Sequence, residues 1–144
     1  KNGITESTPR YSGTELPDKF QVGDGDLLFS WSADLNVYLW NGGSALLNQH
    51  LFRVDPVAGV SRVWLLQALS HSMDQFQSLS LGTTMRHIKR SALSQVRLIV
   101  PSATHISDYT STVQPMHDEL MVLARSQRVL RQTRDLLLRK LIGG

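Results

Sequence analysis

The sequence predicts an α+β fold: a small mixed β/α domain followed by a long C-terminal helix of coiled-coil type. Three observations predict it. Short aromatic and branched runs alternate with turn residues between 26 and 54. Apolar residues recur at helical spacing between 60 and 77. No glycine occurs from 102 to 142, where leucines follow 3-and-4 spacing. The domain is placed at 1–101 and the long helix at 102–144. With 144 residues, 41% of them hydrophobic, the chain can bury about two-thirds of its unfolded surface in one core.

Residues 1–25 are polar and turn-rich, with room for one short strand. Leu27, Leu28, Phe29 and Trp31 form the first aromatic run, and Val37, Tyr38, Leu39 and Trp40 the second. Ser32-Ala33-Asp34-Leu35 reads as the turn between them. Asn41-Gly42-Gly43 ends the second strand with residues that tolerate positive φ. A third strand is expected over 47–54, closed by Pro56 and Gly59. Val60, Val63, Trp64, Ala68, Leu69, Met73 and Phe76 place a helix over 60–77. The run from Gln95 to Val100 reads as a strand stopped by Pro101.

In the last segment Met116, Leu120, Leu123, Leu130, Leu137 and Leu141 lie on one stripe. Gln127 and Arg134 occupy two positions of the same series. A seam of period 3.5 with occasional polar members costs stability but specifies register and partner. Pro115 is expected to kink this helix or to divide it near Ser111. The part beyond Pro115 is about 25 residues, roughly 38 Å. A leucine stripe that long cannot be covered by so small a domain, so a second helix outside this chain is expected on it.

The composition removes whole classes of function. With no cysteine there is no disulfide framework, no thiolate metal site and no thiol nucleophile. No apolar run reaches the ~18 residues of a membrane span. A reducing, cytoplasmic setting fits, with no membrane partner. Nothing near Lys1 has the order of a signal peptide. A chain that opens on lysine is expected to be a fragment or a processed product. The net charge of +3 is a sum of unequal parts. Residues 1–60 hold 4 basic and 7 acidic side chains, whereas 61–144 hold 11 basic and 5 acidic.

Catalytic motifs are missing. There is no Walker loop, no G-x-G-x-x-G and no G-x-S-x-G. Gly23-Asp24-Gly25 reads as a turn before a strand. No Asn or Asp is followed by two prolines and an aromatic residue, the loop of adenine methyltransferases, so the chain is not expected to methylate DNA itself. His50, His71, His87, His105 and His117 show no metal-ligand spacing. No catalytic residue, cofactor or metal is expected. Many serines leave a nucleophile–histidine pair open, with nothing to select one.

Two clusters suit nucleic acid. Thr83, Thr84, Arg86, His87, Lys89 and Arg90 follow a glycine; hydroxyls and cations meet phosphate oxygens, and arginine also meets guanine edges. The alternative is a solvated basic loop. Gln49 and His50, next to Asn48, form a second cluster. Asn and Gln read adenine bidentately, or form a buried pair that specifies the fold. Arg125, Arg128, Arg131, Arg134, Arg139 and Lys140 suit either a solvated flank of the helix seam or an acidic partner, nucleic acid or a membrane surface.

Three segments in order resemble the specificity subunit of type I restriction–modification systems. They are Gly25–Ser30 with Leu47–Val54, then Gly82–Ile88 running on to Val100-Pro101, and Arg134–Gly144. The resemblance spans about 20–144. It departs at Ser32-Ala33, where the family commonly has a glycine, at His105–Asp108, where Glu-Gln is frequent, and at Arg139, where proline is frequent. It implies that 1–101 is a target recognition domain lacking its N-terminal part and that 102–144 is the conserved helix for helix pairing and subunit docking. It further implies that two such helices pair antiparallel as a ruler between DNA half-sites and dock methyltransferase subunits that modify adenine N6. A restriction subunit joins through the same complex. The expected partners are therefore double-stranded DNA, the methyltransferase and restriction subunits, and a second copy through the long helix. The chain would be a non-catalytic recognition subunit and about half, or less, of a complete one. Two readings compete with it: a helical dimerisation module with a small β domain and no DNA binding, and a hydrolase or transferase with a dispersed site.

Overall fold

The computed structural model describes residues 8, 9, 11, 16–32, 34–81 and 87–142. It is an α+β fold with a long C-terminal helix. A 3₁₀ turn at Asp18–Phe20 leads into strands β1 (Gln21–Val22), β2 (Leu27–Ser30), β3 (Asn36–Leu39), β4 (Ala45–Leu46) and β5 (Leu51–Arg53). Helices α1 (Arg62–His71) and α2 (Met73–Ser78) follow. A second 3₁₀ segment, Arg90–Gln95, precedes the 40-residue helix α3 (Ala103–Ile142).

The three-stranded sheet has the order β3-β2-β5 and is antiparallel throughout; β1 and β4 form a separate antiparallel pair. Strand β2 is central, and all four of its residues are buried. Leu27 and Phe29 point to the main core, where Leu35, Val37, Leu66, Leu69, Phe76 and Ile88 surround them. Phe29 meets Phe76 edge to face, with centroids 5.0 Å apart. This aromatic pair fastens α2 to the sheet.

Four expectations change. The helix over 60–77 is two helices, because the chain leaves helical geometry at buried Ser72 (φ −91°, ψ 9°). The strand over 47–54 is interrupted by a turn at Gln49–His50. Asn48 Oδ1 accepts the His50 N–H at 2.8 Å, a side-chain turn that competes with ladder pairing. No strand forms over 95–100. Val96 and Leu98 pack against the core, while Ile99 and Val100 stay exposed, with no strand among the described residues to pair with. Pro115 does not divide α3. Ser111 and Pro115 both face solvent, so the carbonyl that loses its N–H partner is not sealed in the core.

Helix α3 begins immediately after Ser102, whose hydroxyl lies 2.6 Å from His105 Nδ1. Its buried or half-buried stripe is Ile106, Thr110, Val113, His117, Met121, Ala124 and Arg128. This stripe meets α1. Thr110 Oγ1 lies 2.6 Å from Ser61 Oγ, and that hydroxyl accepts the Trp64 N–H as the N-cap of α1. At its far end Arg128 closes on the β1–β2 turn. Its Nη2 and Nη1 donate to Asp24 Oδ2 and Oδ1 at 2.9 and 3.3 Å, and Nη1 also donates to the Asn41 carbonyl. The Gly43 N–H donates to Asp24 Oδ1 at 2.6 Å. The expected turn at Gly23-Asp24-Gly25 is thus the docking point of the long helix. Beyond Arg128 every described residue of the helix except Asp135 is exposed. No helix among the described residues is long and apolar enough to cross a membrane.

Two consequences are measurable. Leu27 is 0% exposed. Leu27→Ala should cost about 2–5 kcal/mol, read as a lower denaturant midpoint at unchanged slope. Hydrogen bonds from Arg128 hold the Asp24 carboxyl below its ordinary value, against a smaller opposing desolvation. A depressed carboxylate stabilises the fold above its unfolded pKa and loses that contribution as pH falls through the folded one. The pair is about a third exposed, so Asp24→Asn should cost no more than about 1 kcal/mol at pH 7. Stability curves of the two proteins should converge below the carboxylate range.

Candidate nucleic-acid interface

The two polar clusters lie some forty residues apart in sequence, and β2 brings them together. Past its end the chain stays extended through Trp31. The Trp31 N–H donates to the His50 carbonyl at 3.2 Å, and the Trp31 carbonyl accepts the Ile88 N–H at 2.9 Å. Ser32 bridges His87 in antiparallel fashion. One residue thus separates the Gln49–His50 turn from the strip His87–Arg90. A further bridge, Leu81 to His87, joins the two ends of the 82–86 segment. Thr83, Thr84 and Arg86 lie outside the described residues. Ile88, 1% exposed, is the anchor of the strip. Its apolar side chain enters the core, which sets His87 half-buried and leaves Lys89 and Arg90 at the surface.

Four flat groups line up across this surface. His50 lies 5.8 Å from Trp31 between centroids, and Trp31 stacks on Phe52 at 5.9 Å with planes 20° apart. The Arg90 guanidinium lies over Phe52 at 5.8 Å. Within about 6 Å a guanidinium is drawn to the face of a ring. His50 is held from below, with its Nδ1 2.8 Å from the hydroxyl of buried Ser32, and its Nε2 lies 3.3 Å from Gln49 Nε2. The Trp31 indole N–H is buried, and no acceptor among the described residues takes it. Gln49 and His50 are both exposed. Their amide and ring edges therefore face outward, and the buried Asn–Gln pair is not formed. Asn48 instead shapes the turn.

Trp31, Ser32 and Phe52 are the members of this surface that sequence reasoning missed. The strand register carried the signal: Ser30 pairs with Leu51 and Phe29 with Phe52, which sets Trp31 beside His50. Serine–histidine contact occurs at Ser32–His50 and Ser102–His105. The first serine is buried, and the second accepts the His105 N–H at the start of α3.

The rest of the surface differs in character. A cleft of about 260 Å³ between the β1–β2 turn, α1 and α3 is lined by Arg62, Gln114, His117 and Asp118 among others. Its charges are mixed, and Gln114 already donates to Asp118 at 2.7 Å. No group of three metal-ligating side chains gathers among the described residues. The six apolar residues of the predicted seam all face solvent, from 54% exposure at Leu137 to 80% at Leu141. No protein-family model, curated protein or solved structure matches this chain.

Proposed function

We propose that this chain recognises a specific double-stranded DNA sequence as the specificity subunit of a type I restriction–modification complex. It directs adenine methylation and restriction by partner subunits in the cytoplasm and performs neither reaction itself. The observation that carries this reading is the convergence at Trp31. Its backbone joins the Gln49–His50 turn to Ile88, in the strip that carries His87, Lys89 and Arg90, next to the segment that holds Thr83, Thr84 and Arg86. Cations and hydroxyls position a duplex through phosphates, and arginine or glutamine reads base edges. The second support is the bare leucine stripe of α3, which suits pairing with another long helix and docking of a methyltransferase subunit. The ordered sequence resemblance agrees with both.

The direct test is the pattern of methylated adenines in the source genome. Deleting the gene should erase methylation at one sequence motif and leave others intact. On the protein, Arg86→Glu combined with Lys89→Glu should abolish duplex binding with the circular dichroism spectrum unchanged. Binding that persists and does not weaken with salt would sink the assignment, since phosphate contacts release counterions.

The exposed stripe also suits a helical interaction module that binds no DNA. Duplex capture by the chain with its partner subunit separates the two readings. In both, the stripe binds a second copy when the chain is alone. Sedimentation should show a concentration-dependent dimer. Leu130→Asp should weaken it by at least about tenfold, because burying one leucine contributes about 1.5–3 kcal/mol.

A further inference from the structure

The cations of this chain differ in what already holds them. Arg53 donates to the carbonyls of Asp18 and Gln21 at 3.2 and 2.9 Å and lies 3.4 Å from Asp55. Arg62 donates to the Gly25 carbonyl at 2.9 Å. Arg128 is engaged by Asp24 and Asn41, and Arg134 turns onto Asp135 at 2.6 Å. Each of these in-plane donor sets is directed at the protein itself. Arg90 is held in another way. It is exposed, and its guanidinium lies over the ring of Phe52.

At 5.8 Å the guanidinium is drawn to the ring, and no acceptor among the described residues takes its five N–H donors, which remain open to a planar acceptor pair. Phe52 is itself fixed. It pairs with Phe29 in the β2–β5 ladder and stacks on Trp31, whose backbone is bonded on both sides. Arg90 also opens the 3₁₀ segment just after Ile88, which is buried in the core. Packed contacts therefore run from the core to Phe52, the ring beside which the guanidinium lies. Lys89, one residue earlier, is exposed. Its ammonium is a mobile point charge on a flexible stem.

We infer that Arg90 is the base-reading cation of this interface, its in-plane donors meeting O6 and N7 of a guanine in the major groove, and that Lys89 contacts phosphate. The inference rests on the DNA-recognition reading and adds a division of labour within it.

The experiment is selection of a randomised duplex pool by the chain at low salt, followed by affinities for the enriched duplex and its single-base variants. The wild-type protein should enrich a motif with one G·C pair that Arg90→Lys no longer distinguishes. Preference at that pair should fall by about 5- to 150-fold, the range for losing one bidentate contact. The charge is kept, so the salt dependence of Arg90→Lys should match the wild type. Phe52→Leu should weaken the same preference and no other. Lys89→Gln should weaken all duplexes alike, keep the motif, and lower the salt slope by about one. Full retention of every base preference in Arg90→Lys would overturn the assignment while leaving DNA recognition standing. No enrichment and no salt-sensitive binding by the wild-type protein would overturn DNA recognition, and the assignment with it.

Discussion

Strand β2 is the constraint on which the other parts depend. It is four residues long, paired on both sides and buried on both faces. A strand so placed cannot slip, because a one-residue shift would exchange Leu27 and Phe29 for Leu28 and Ser30 at the core. Fixing β2 fixes what lies immediately before and after it. Before it stands the Asp24 turn that holds Arg128 of the long helix. After it stands Trp31, whose two backbone bonds place the polar clusters. Core, helix and candidate surface are thus positioned by about ten consecutive residues.

This economy explains how a small domain keeps an exposed surface rigid. A loop of polar residues on its own loses conformational freedom when it binds. Here each polar group stands next to an anchored apolar one: Arg90 on Phe52, Lys89 beside Ile88, His50 against Trp31 and buried Ser32. The aromatic residues contribute less to the deep core than Leu27 or Ile88 do. Their role is to stiffen the boundary between core and solvent, where a flat ring offers a face to a side chain and an edge to the backbone.

Much of the fold was legible because its signals are local. Alternation and aromatic content mark β2 and β3, and spacing marks α1 and α3. The errors share one cause. The Gln95–Val100 run has β-branched residues and alternating burial, but a strand also needs a neighbour, and pairing is not a property of the run itself. The chain leaves helical geometry at buried Ser72 although apolar spacing continues, and Phe76 beyond the break packs on Phe29 of the sheet, a contact between residues far apart in sequence. For the site, residue types singled out Gln49, His50, Lys89 and Arg90, and the fold leaves all four exposed. What joins them, the register between β2 and β5, is a long-range fact. The Asp24–Arg128 contact is the extreme case. Its partners are 104 positions apart, and each looks ordinary alone: one an acid in a turn, the other a basic residue on a helix flank.

The long helix carries two stripes with different periods, and the difference has a geometric outcome. The stripe from Ile106 to Arg128 that packs on the domain repeats at close to 3.6 residues, so it stays on one side of a straight helix. The seam from Met116 to Leu141 repeats every 3.5 residues and drifts by ~20° per heptad relative to that line. At 100° per residue, the seam starts about 80° from the packing stripe near Met116 and reaches about 140° near Leu141. It therefore turns away from the domain as the helix leaves it. A helix that followed the seam would wind left-handed around α3 and lead away from the stripe that packs on the domain. One helix can in this way hold its own domain over its first half and a partner over its second, without the two competing for the same face.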